Sequence, residues 1–141
     1  MEITVEVIVQ APRDRVWSAF VTPDAITRWN FASDDWCCPR ASIDLAENGK
    51  FNYRMEEKNG PAGFDLEGEF TVIEANRRIE YRLTDGRKVR VIFSDTEQGT
   101  RVTETFEAES THSPELQRQG WQAILDNFRT YTEGQAGQKQ T

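Results

Sequence analysis

Between Phe51 and Phe106 the chain alternates apolar and polar residues in run after run, and beyond Glu107 that alternation gives way to helical spacing. Phe51, Tyr53 and Met55 make one two-residue period, and residues 64–74 make the next. Ile79, Tyr81 and Leu83 follow, then Val89, Val91 and Phe93, then Val102, Glu104 and Phe106. Period two puts one face of each run on a core. The segments between them carry turn chemistry: 58–63 with two Gly and a Pro, Asn76-Arg77-Arg78, Asp85-Gly86, and Glu97-Gln98-Gly99. Turns this short join antiparallel neighbours, so the pattern predicts a meander with one apolar face. Ser113 can cap and Pro114 can open the only long helix, whose apolar residues are Leu116, Trp121, Ile124, Leu125, Phe128 and Tyr131. That helix alone is long enough to cover the meander. A strongly curved sheet cannot sit flush on a cylinder, so the arrangement predicts enclosed space.

The first 50 residues add to this frame. Ile3, Val5, Val7 and Val9 alternate with Thr4, Glu6, Ile8 and Gln10 as a strand that ends at Ala11-Pro12. Val16, Trp17 and Phe20 recur at helical spacing, and Thr22-Pro23-Asp24 opens a second short helix carrying Ile26 and Trp29. Residues 30–46 have no clear period and read as a loop leading into a short strand at 41–45. Gly68, inside a strand pattern, marks a bulge or a close approach. Strand, two short helices, strands, long helix is an α+β order. It predicts one domain over residues 1–132 and a flexible tail over the Gly- and Gln-rich residues 133–141.

Composition narrows the function. Four Trp, eight Phe and three Tyr give a chain of 141 residues enough ring surface for a core, although only 37% of residues are hydrophobic. With 24 acidic against 17 basic residues the net charge is −7, which repels phosphate backbones and argues against nucleic acid. The N-terminal alternation is not a signal peptide, and no apolar run approaches the roughly 20 residues of a membrane span. A cytosolic location without membrane insertion is the expectation. Cys37 and Cys38 are neighbours, too close in sequence for the about 5.5 Å between Cα atoms that a disulfide favours, and with one His they match no zinc spacing. Free thiols without a metal are expected, and no dinucleotide or phosphate-loop motif is present.

Ala11-Pro12 with Val16-Trp17 and Phe20, Trp29, Gly49-Lys50-Phe51, Gly68-Glu69-Phe70 with Ile73-Glu74, and Arg78-Ile79-Glu80-Tyr81 occur in an order that spans most of the chain. Gly99-Thr100-Arg101-Val102-Thr103 and Gly120-Trp121 with Leu125-Asp126-Asn127-Phe128 complete the series. In these pieces the chain resembles the START-like helix-grip (SRPBCC) superfamily, and within it the homologues of the activator of the ninety-kilodalton heat-shock chaperone ATPase. The resemblance implies a helix-grip fold, a curved antiparallel sheet wrapped around the C-terminal helix. It also implies a cavity for an apolar molecule. The chaperone activators carry a further N-terminal domain that has no counterpart in these residues, and the superfamily offers no shared catalytic set to transfer.

The candidate ligand-binding residues are Trp29, Phe51, Tyr53, Tyr81, Glu104, Trp121 and Phe128. Each ring alone can equally be ordinary core. Together, rings from sheet and helix meeting around one space suit an apolar pocket with a few polar groups. Glu104 shares its strand face with Val102 and Phe106, which points a carboxyl inward, where burial raises its pKa. The alternatives are an edge or bulge that turns it outward, or an ion pair with Arg54 or Arg82. His112 lies in the loop before the last helix and reads as solvent-exposed. Trp36, beside the cysteines, reads as a plug for the pocket mouth. Asp34 and Asp35 would raise the thiol pKa values, against a redox role.

Three functions fit these residues. The first is binding of a hydrophobic or amphipathic small molecule or lipid, without catalysis and without a cofactor. The second is an enzyme of cyclase or hydratase type that uses Glu104 as base. The third is a stress-response module with a chaperone partner, which needs an exposed apolar patch.

Overall fold

The computed structural model describes residues 1–138. Seven strands form one antiparallel sheet in the order β1-β7-β6-β5-β4-β3-β2. They are β1 (Glu2–Val9), β2 (Trp36–Ile43), β3 (Lys50–Glu57), β4 (Gly63–Glu74), β5 (Arg78–Leu83), β6 (Lys88–Thr96) and β7 (Gly99–Glu107). Helices α1 (Arg13–Val21) and α2 (Pro23–Trp29) carry the chain from one sheet edge to the other, and α3 (Pro114–Gln138) follows β7. Strands β3 to β7 are the expected meander, β2 extends it at one edge, and the sheet is curled into a half-barrel. Strand β1 closes it by pairing with β7 over its whole length, Glu2 opposite Glu107 and Val9 opposite Thr100. None of the described helices is long and apolar enough to cross a membrane.

The two-residue period fixes which side chains enter the half-barrel. Ile3, Val5, Val7 and Val9 are buried on β1, Val89, Val91 and Phe93 on β6, and Val102, Glu104 and Phe106 on β7. Gly68 lies opposite Phe51 on β3 and Leu83 on β5. A Cβ there would stand 2.6 Å from the Phe51 ring and 2.8 Å from the Arg82 carbonyl oxygen, so only glycine lets that ring lie across β4. The bulge falls slightly later, between Phe70 and Val72.

Helix α3 grips one side of the sheet. Trp121 stacks on Phe106 with ring centroids 4.0 Å apart and planes 9° from parallel. Leu125, Phe128 and Thr132 continue the buried line, and Phe128 packs edge-on against Phe20 and Trp29. Full burial of a Phe side chain contributes about 1.5–3 kcal/mol. Side chains of α3 also cover the free edge of β1: Arg118 donates to the Thr4 carbonyl, Gln122 to the Glu6 carbonyl, and Glu133 accepts from the Gln10 N–H. An unpaired strand edge is thereby closed to other chains. The capping by Ser113 is present, its Oγ accepting from the Leu116 N–H at 3.1 Å.

Four sequence expectations shift. Residues 36–40 are already strand, because β2 pairs with β3 from Trp36↔Glu57 onward and accommodates Pro39 in an irregularity between Cys37 and Arg40, on the sheet's edge. Leu116 is exposed, whereas Gln117 is buried. One residue rotates a helix by about 100°, and Gln117 takes the inward position, where its amide holds both the N–H and C=O of Glu109 and the C=O of His112. Thr22 makes no side-chain cap for α2, although Pro23 does occupy its first turn. Residues 133–138 continue α3, with Glu133 fastened to Gln10, while residues 139–141 of the expected tail lie outside the described residues.

Candidate functional site

Helix α3 packs on β1 and against α1 and α2, while α2 packs on β2. Between these helices and the middle of the sheet remains a partly enclosed cavity of about 80 Å³. The sheet contributes Ile43 from β2, Tyr53 from β3, Leu66 and Phe70 from β4, Ile79 and Tyr81 from β5, and Glu104 from β7. The helices contribute Phe20, Val21, Trp29, Trp121 and Ile124, with Asn30 directly after α2. The lining is overwhelmingly apolar. Two wider depressions, of about 470 and 540 Å³, are lined mainly by charged, hydroxyl and amide side chains such as Lys50, Asn52, Glu69 and Arg82, or Asp24, Thr27, Arg40 and Ser42. Water satisfies such surfaces, so the smaller apolar space is the candidate site.

Four polar side chains reach this space: Asn30, Tyr53, Tyr81 and Glu104. Glu104 is 7% exposed. Among the described residues no hydrogen bond or ion pair reaches its carboxyl, and burial alone pushes its pKa up to about 8. At neutral pH it is mainly a carboxylic acid, able to donate as well as accept a hydrogen bond. The Tyr81 phenol is held well above its ordinary range, first by burial, then by the neighbouring Glu104 and Tyr53, with Arg87 opposing. Burial likewise raises Tyr53, with Cys38 adding to it. Both phenols therefore stay protonated. The alternative ion pairs for Glu104 are absent: Arg54 is engaged by Glu56 and Asp65, and Arg82 is exposed.

The sequence profile of the family described as "Activator of Hsp90 ATPase homolog 1-like protein" matches residues 10–133. The chain belongs to that family. Its fold is shared by the solution structure of an AHSA1-like protein from Aeromonas hydrophila, 44% identical, with a TM-score of 0.91 over 96% of this chain and 94% of that one. A protein from Cytophaga hutchinsonii is 42% identical, with a TM-score of 0.82 over the same shares. A protein from Nitrosomonas europaea shares the fold at 16% identity and a TM-score of 0.83, over 97% of each chain. No functionally curated protein matches the sequence.

Within this AHSA1-like fold, five of the seven expected residues line the cavity: Trp29, Tyr53, Tyr81, Glu104 and Trp121. The other two form the layer behind it. Phe51 lies over Gly68 and packs among Tyr53, Phe70 and Tyr81, while Phe128 is wholly enclosed by Phe20 and Trp29. Trp36 does not plug the mouth; it packs on the half-exposed Phe64 instead. Asn30, Leu66, Phe70 and Ile124 line the site without having been singled out. Leu66 and Phe70 follow from the alternation through Gly68, and Ile124 from its place one turn beyond Trp121. Asn30 carried no signal, because its position depends on where α2 ends. His112 is exposed and holds Glu109 at 3.1 Å. Cys37 and Cys38 are both free, and burial raises the Cys38 thiol, a larger cause than any neighbouring charge.

Proposed function

We propose that this protein binds a small amphipathic molecule whose polar end meets Glu104 and whose apolar part leaves along Ile43, Leu66 and Ile124. The observation that carries the reading is a desolvated carboxyl, without a partner among the described residues, facing an apolar cavity. A polar group left unsatisfied in such a place costs about 1–3 kcal/mol or more, which a ligand's polar end can recover. At about 80 Å³ the cavity is smaller than the roughly 300–1,000 Å³ of pockets for drug-sized molecules. It suits a head group, and the tail needs Ile43, Leu66 and Ile124, all only partly buried, to part. The large exposed apolar side chains, Met1, Leu45, Phe64 and Leu116, belong to four separate segments, which gives the chaperone-partner reading no comparable support.

Native mass spectrometry of the chain purified from its own host tests this reading. An added small-molecule mass on the wild type that is lost in Ile124→Trp, whose indole fills the cavity, is the expected result. A bare mass under conditions that preserve other lipid-binding proteins contradicts it.

A further inference from the structure

Granted that the cavity is a ligand site, its wall also selects the charge of the head group. Glu104 reaches it from β7, and among the described residues no Lys, Arg or His lines it. Trp29, Tyr53, Tyr81 and Trp121 are among the remaining lining residues, beside Phe20, Phe70 and aliphatic side chains. Aromatic faces carry negative potential and attract cations, most strongly where water is excluded. An anionic head would meet a carboxyl and ring faces with no positive group to hold it. A neutral head would use the hydrogen bond but not the rings. We propose that the cavity recognises the protonated amine of an amphipathic amine, with Glu104 as counter-ion and the Trp and Tyr rings as its cage. The volume, about 80 Å³, admits a head of only a few heavy atoms. The net charge of −7 adds a field of the same preference.

The proton balance follows from the groups around Glu104. Tyr81 from β5 and Tyr53 from β3 face it and remain neutral phenols. Its neighbours across the sheet are Val5 on β1 and Val91 on β6, and the helices present Phe20, Trp29, Trp121 and Ile124. Arg87 lies near Tyr81 but is held by Asp85 at 2.8 Å, and Asn30 is uncharged. Below pH 8 the arriving ammonium keeps its own protons, and the carboxyl proton of Glu104 passes to water as the ion pair forms.

Titration calorimetry with n-octylamine, 1-octanol and octanoate, at pH 6.5 in two buffers of different ionisation heat, tests this on the full chain. Octylamine is expected to bind at least tenfold more tightly than octanol, octanoate not at all. Octylamine binding releases close to one proton, and its Kd falls about tenfold from pH 6 to pH 7. In Glu104→Gln the preference for the amine collapses. Octanol binding as tightly as octylamine, or octylamine binding without proton release, overturns the cation assignment while leaving the cavity reading intact. Failure of all three to bind removes both. The proton count is read on the wild type and stands even if the variant folds poorly.

Discussion

Glu104 on β7 and Tyr81 on β5 point into the same cavity across β6, which places only Val89 and Val91 between them. Short side chains there leave both polar ends over open space, and neither finds a hydrogen-bonding partner among the described residues. The site is thus a polar pair built on strands and roofed by rings, with the roof supplied by α3 and the α1–α2 pair.

The first consequence concerns pH. Glu104 has a folded pKa raised to about 8 from an ordinary 4.5, so the unfolded chain loses this proton first. Between those values the folded state holds more protons, and stability falls as pH rises; it is fully present below about 4.5 and lost through about 8. At pH 7 the penalty is on the order of 2–4 kcal/mol. Urea midpoints measured from pH 5 to 8.5 are expected to fall in the wild type and to fall much less in Glu104→Gln. Equal slopes contradict a buried carboxyl.

Phe128 and Tyr81 separate packing from lining. Phe128→Ala removes a fully enclosed ring and is expected to cost about 3–5 kcal/mol. Tyr81→Phe removes only a hydroxyl at the cavity and is expected to change stability by less than about 1 kcal/mol. Chemical denaturation of both variants reads the contrast, and a large loss in Tyr81→Phe reveals a hydroxyl bonded within the protein.

Gly68→Ala tests the close approach of β3 to β4. The added carbon meets the Phe51 ring and the Arg82 carbonyl at distances that require movement, and overpacking of this kind costs about 1–3 kcal/mol. Because Phe51 backs Tyr53 and Tyr81, ligand affinity should fall with stability. A neutral substitution contradicts the contact.

The thiols differ in access. Cys38 is buried with a raised pKa, while Cys37 is partly exposed. Alkylation at pH 7 is expected to label Cys37 slowly and Cys38 only on unfolding, as read by mass spectrometry of intact protein. Fast labelling of Cys38 contradicts its burial.

Much of this architecture is written in residue periodicity, because a face of Val, Ile and Phe at every second position has one way to avoid water. The meander, α3 and the inward carboxyl all follow from it. Glu104 was legible for the same reason: a charged residue stood where the period demanded an apolar one. The misplaced features depend on three-dimensional detail that no period encodes. Phe51 lies behind the wall because Gly68 lets its ring fold over β4, and Phe128 because α1 and α2 bring Phe20 and Trp29 onto it. The irregular pairing around Pro39 hid the start of β2, and Gln117, a polar residue on the apolar line, hid the true face of α3.

The Glu104 carboxyl lines an apolar cavity and has no hydrogen-bond partner among the described residues. Carbon-13 NMR of that carboxyl, followed from pH 3 to pH 10 in the full chain, tests this most directly. A single titration centred near pH 8 is the predicted result. A midpoint near the ordinary 4.5 would mean a hydrated carboxylate and would contradict the account.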